Sequence, residues 1–119
     1  MKINTLRALI YFCISSSCHA FDCNTDASEI SDAARIPSDH SGYEVIAAGP
    51  SYFYTAPMST CVDKQIFLVK NDHVDAYFDY GEFTYVMFIH PKTGKDTSGW
   101  MLTKQLKETG FGVGPTQTE

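Results

Sequence analysis

Between His73 and Tyr80 the chain alternates: Val74, Ala76, Phe78 and Tyr80 are apolar or aromatic, and His73, Asp75, Tyr77 and Asp79 stand between them. Successive side chains of a strand point to opposite faces, so this pattern predicts a β-strand with one buried and one wet face. Gly81-Glu82 allows a tight reversal. Phe83–His90 follows, apolar on both faces, and reads as a central strand whose inward face the pattern does not assign.

The flanking chain supplies shorter strands. Tyr43–Ala48 is stopped by Gly49-Pro50, and Tyr52-Phe53-Tyr54 by Ala56-Pro57. Gln65–Val69 is a third, with Asp72 serving the turn before His73. Pro91-Lys92-Thr93-Gly94 forms a turn, and Gly99-Trp100-Met101 opens a last strand. Leu102–Leu106 closes with one helical turn. Five or six short strands broken by Gly and Pro predict a mostly β fold, a small closed or half-open β-barrel over residues 43–106, with Val86 and Trp100 in or against its core.

Residues 21–42 form a polar N-terminal segment. Asp26-Ala27-Ser28-Glu29 has the form of a capping box, and Ala27, Ile30 and Ala34 recur at near-helical spacing. These predict a short helix over 26–35, ended by Pro37, with Ser38–Gly42 as a linker. Residues 107–119 lack a pattern and read as a flexible tail.

The first twenty residues read as a secretory signal peptide. Lys2 and Arg7 give the basic start, Ala8–Ile14 the apolar stretch, and Cys18-His19-Ala20 a small-residue cleavage site before Phe21. A membrane-spanning helix needs about 20 apolar residues, and this run has seven. Lipidation at Cys18 is the alternative to its removal, but Ser15 stands where lipoprotein signals carry an aliphatic residue. Cleavage removes two of nine basic residues and none of the fourteen acids, leaving a formal charge of −7 on an expected periplasmic or secreted protein. That balance argues against nucleic-acid and anionic-lipid partners, which are held by clustered Lys and Arg.

Cys13 and Cys18 depart with the signal, so Cys23 and Cys61 remain. In an oxidising compartment they have one intramolecular pairing, with free thiols or an intermolecular bridge as alternatives. A domain this small gains from such a staple.

Tyr52–Pro57, a hydrophobic strand, Gly81-Glu82-Phe83-Thr84-Tyr85-Val86, and Gly99-Trp100-Met101 followed by Leu106 together resemble the bacterial SH3-like (SH3b) domain. That family runs from an opening with arginine and proline, through a G-W-Y-x-V strand, to a closing G-W-V and a late leucine. The resemblance covers about residues 52–106. Glycine at 99 would permit a bend, and Trp100 would cap one end of the barrel. The chain departs at Tyr54, where the family carries arginine, at Phe83, where it carries tryptophan, and in the longer Pro91–Ser98 hairpin. The resemblance implies a binding domain and no catalytic residues. Relatives bind peptidoglycan beside cell-wall hydrolases, or act as free-standing inhibitor or immunity proteins against a periplasmic toxin.

Other chemistry finds little purchase. Nucleophilic catalysis needs Cys or Ser beside a His base. Cys61 is accounted for by the bridge, and His40, His73 and His90 lack a nucleophile motif. His73, Asp75 and Asp79 share a strand face, but a solvated polar face explains them without a metal. Gly110–Gly114 lacks the strand and helix that a phosphate-binding loop requires. No cofactor is expected. The aromatic supply is more telling, because Tyr and Trp recur at recognition surfaces. The expected binding face is Tyr77, Tyr80 and Phe83, rimmed by Asp75, Asp79 and Glu82, and acidic charge suits capture of a basic protein.

Overall fold

A computed structural model describes residues 22–30 and 32–111. The export signal expected over 1–20 lies outside the described residues, as does the end of the expected tail, 112–119. The strands are β1 (Ala34–Arg35), β2 (Gly42–Val45), β3 (Ser51–Tyr54), β4 (Val62–Leu68), β5 (His73–Tyr80), β6 (Phe83–Ile89), β7 (Asp96–Leu102) and β8 (Leu106–Glu108). They lie antiparallel in the order β4-β3-β7-β6-β5-β2-β8, with β1 also paired to β5. The sheet curls into a half-barrel, so the mostly β expectation holds.

The long hairpin is where the alternation places it, but β5 is not regular. Ala76 opposes Val86 and Phe78 opposes Tyr85, leaving Tyr77 as an extra residue. Such a bulge exchanges the faces of everything beyond it. Val74 and Ala76 therefore face inward, whereas Phe78 and Tyr80 face out with Tyr85 and Phe83. This corrects the expectation that all four share one buried face.

Two cores result. The inner one holds Val45, Phe53, Leu68, Val74, Ala76, Val86, Met101 and Leu106. The outer one holds Phe83 and Trp100, flanked by Tyr54, Phe78, Tyr80, Tyr85 and Leu102, and is covered by Ala27, Ile30 and Ala33. Trp100 is fully buried there, under the N-terminal segment and not at a barrel end. Its ring meets Tyr85 edge-on at 5.3 Å, and Tyr54 meets Phe83 at 5.0 Å. Cys23 and Cys61 form the disulfide, which fixes the covering segment to the start of β4.

The helix expected over 26–35 is a single 3-10 turn, Ala27–Glu29. Asp26 caps it by accepting from Ser28 N–H at 3.0 Å. Ala27 and Ile30 stand three apart, which suits the 3-10 repeat. Ile30 is already extended, and Ala34–Arg35 pairs with β5 instead. Within the expected linker, Ser38–His40 is another 3-10 turn, and the closing turn is Thr103–Gln105.

The tail also needs correction. Lys107 and Glu108 belong to β8, which pairs with β2. Thr109 N–H donates to the Gly42 carbonyl at 2.9 Å, and Gly42 N–H to the Phe111 carbonyl at 2.7 Å. Only glycine fits at 42, since a Cβ would overlap the Phe111 carbonyl. Gly99 is likewise a matter of space. A Cβ there would lie 2.9 Å from the Phe53 ring, so the missing side chain admits that ring to the inner core.

Trp100→Ala should cost about 3–5 kcal/mol, the range for a buried aromatic, read by urea denaturation. Gly99→Ala should cost about 1–3 kcal/mol by overpacking, and Phe53→Leu in that background should recover part of it. A neutral Gly99→Ala would mean the Phe53 ring does not rest on Gly99.

Candidate binding face

The 3-10 cover spans the rows around Phe83 and Trp100. Toward the other end of the hairpin, the outer face carries Asp75 opposite Met87, Met87 opposite Ser98, and Ile89 opposite Asp96. Ile89 is 54% exposed. Tyr77, displaced by the bulge, stands half-buried beside Tyr85 with ring centroids 6.5 Å apart. The part of the outer face that the described residues leave open is thus a tyrosine pair with apolar neighbours and two acids, Asp75 and Asp96.

The Tyr77 phenol is raised above its ordinary 10.0, first by burial, then by the Asp75 carboxylate, and by Tyr85 and Asp96. Burial also raises Tyr43, with Asp79 and Glu108 adding to it. Asp75 Oδ1 is closed to solvent and has no hydrogen-bond partner among the described residues. Beside it, a cavity of about 300 Å³ opens where the Ser38–His40 turn swings away from β5; Arg35, Ile36, Pro37 and Phe78 share its lining.

The expected face divides. Asp75 and Tyr77 stand together. Asp79 lies beyond the bulge and turns to the opposite face, where its Oδ1 accepts from Thr84 Oγ1 at 2.7 Å. Thr84 is fully buried and also bonds Thr103 Oγ1 at 2.7 Å. Tyr80 packs against the outer core. Phe83 is 7% exposed, so it is a core residue and not a surface anchor. Glu82 is exposed at the turn, and its carbonyl accepts from Thr103 N–H. Sequence reasoning missed Asp96 and Met87 as neighbours of Tyr77. Their placement depends on strand register, which no local pattern in Phe83–His90 carries. His73 Nε2 lies 3.9 Å from Glu44 and His40 Nδ1 2.9 Å from Glu108. No group of three or more His, Cys, Asp or Glu is placed to hold a metal among the described residues.

Comparison with protein-family models, with curated proteins and with solved structures gives no match.

The raised phenols set an alkaline limit. The folded chain keeps Tyr77 and Tyr43 neutral where the unfolded chain begins to ionise. Their contribution to stability is therefore complete below about pH 10 and is lost as pH rises through the folded values. In a tyrosinate absorbance titration, Tyr77→Phe should remove a late-ionising step. Asp75→Asn should bring that step earlier without restoring the ordinary value, because burial is the larger cause. An unmoved step in Asp75→Asn would show that the carboxylate does not act on the phenol.

Proposed function

We propose that this chain is a non-enzymatic, exported, SH3-like binding protein that captures a basic protein partner through Tyr77, most plainly as an inhibitor or immunity partner of a secreted antibacterial toxin. The observation that carries this reading is the half-buried Tyr77–Tyr85 pair between Asp75 and Asp96 on a rigid sheet. Aromatic side chains bury large area with few rotors, and flanking acids steer a basic partner. The short antiparallel strands curled into a half-barrel support the SH3-like reading. The non-enzymatic part is supported by Cys61, which is bridged and therefore offers no thiol nucleophile.

The test is affinity capture from a periplasmic extract, with wild type and Tyr77→Ala as paired baits. A protein retained by the first and lost by the second supports the reading. With that partner purified, Tyr77→Ala should cost roughly 2 kcal/mol or more, mostly through faster release. Asp75→Asn with Asp96→Asn should slow association and flatten its salt dependence. Co-sedimentation with purified peptidoglycan, with no protein captured, replaces the inhibitor reading with wall binding. Unchanged affinity in Tyr77→Ala moves the site elsewhere.

A further inference from the structure

Residues 22–30 and 32–33 lie across the outer aromatic core as a strap. One end is fixed by Cys23 to Cys61. At the other end the chain enters β1, which pairs with β5 over two residues, Ala34 with Asp79 and Arg35 with Phe78. Between these ends, among the described residues, the backbone hydrogen bonds close within the strap. Thr25 donates to Asp22, Glu29 to Asp26, Ile30 to Ala27 and Ala33 to Ile30, at 2.9–3.2 Å. The Asp22 and Asp26 carboxylates also serve strap neighbours, Asn24, Thr25 and Ser28. Attachment to the sheet is apolar, through Ala27, Ile30 and Ala33.

One isoleucine and two alanines offer little buried area against the entropy of ordering a dozen residues. A bridge at the far end changes that balance, because docking then occurs within one closed loop. Without it the strap becomes a segment tied at one end, of the kind that frays. The inner core draws on Val45, Phe53, Val74, Val86 and Met101, none of them in the strap. The two units are therefore separable in the sense of local unfolding.

We infer that the strap is a redox-released cover: reduction of Cys23–Cys61 by a dithiol frees residues 22–33 and bares Trp100, Phe83 and Tyr54 while the sheet stays folded. The dithiol's thiolate attacks one sulfur to give a mixed disulfide. Its second thiol then displaces that sulfur. The chain keeps two thiols, having gained two electrons and two protons, and the reagent leaves as its own disulfide. The uncovered surface is aromatic and carries one further feature. The Trp100 indole N–H is buried with no hydrogen-bond partner among the described residues.

Trp100 is the sole tryptophan, so its emission reports on the cover directly. The purified protein is titrated with dithiothreitol, with thiol labelling to follow reduction. Emission should move to longer wavelength and acrylamide quenching should rise several-fold. In hydrogen exchange, Ile30 and Ala33 should lose protection while Val86 and Met101 keep theirs. Cys23→Ser with Cys61→Ser should behave this way without dithiol, and Ile30→Asp should do so with the bridge intact. Shielding of Trp100 that survives complete reduction overturns the inference. So does simultaneous loss of protection at Val86, because the bridge would then staple the whole fold. Ile30→Asp with Trp100 still shielded would show that apolar contact does not hold the strap.

Discussion

A single extra residue in β5 organises this molecule. With Ala76 opposite Val86 and Phe78 opposite Tyr85, Tyr77 has no partner in the ladder, and the strand changes face in mid-course. Its first half serves the concave side and its second half the convex side. The convex side thereby gains Phe78 and Tyr80 beside Phe83, Tyr85, Trp100 and Tyr54. Left open, such a group would form an apolar patch of the kind soluble proteins keep small. Covering it falls to the stretch before β1, whose described residues make no ladder hydrogen bonds to the sheet and which is joined to it by a disulfide. Bulge, outer core, strap and bridge form one chain of dependence.

The strands were legible because their signals are local. Alternation over 73–80, glycine at the reversals and proline at the breaks mark segments without knowledge of neighbours. The cysteine pairing followed from arithmetic once the first two cysteines were assigned to the signal. The bulge was not legible, because polar and apolar residues alternate through His73–Tyr80 without interruption. It arises from pairing with β6, and a register carries no local mark. β8 was missed for a similar reason. Leu106–Glu108 has no pattern of its own and becomes a strand because β2 presents an edge to it. The helix over 26–35 failed more narrowly, since apolar residues three apart fit a 3-10 turn as well as an α-helix, and the segment has an aromatic surface to lie on.

The binding face shows the same division. Asp75 and Tyr77 stayed together because they precede the face exchange or sit at it. Asp79 was lost one step beyond, and its carboxylate now accepts from Thr84 inside the fold. A residue's outward position on an alternating strand is therefore only as secure as the ladder beneath it. The polar partner tells the same story. Thr84 is fully buried, and a buried hydroxyl needs a bond partner, so an acid that alternation assigns to solvent is drawn inward to meet it.

Covered and open parts of the outer face meet at Tyr85. Its ring lies 5.3 Å from Trp100 beneath the strap and 6.5 Å from Tyr77 on the open side. One rigid side chain thus borders both the outer core and the candidate recognition surface. A ligand at Tyr77 would shift the strap only as far as it binds the docked and released states with different free energy, and linkage would make that effect reciprocal. The bulge does not create this neighbourhood. A regular ladder continuing from Ala76 and Val86 would set Tyr77 directly opposite Tyr85. What the bulge adds is Phe78 as the new partner of Tyr85, which brings the second half of β5 into the outer core on which the strap lies.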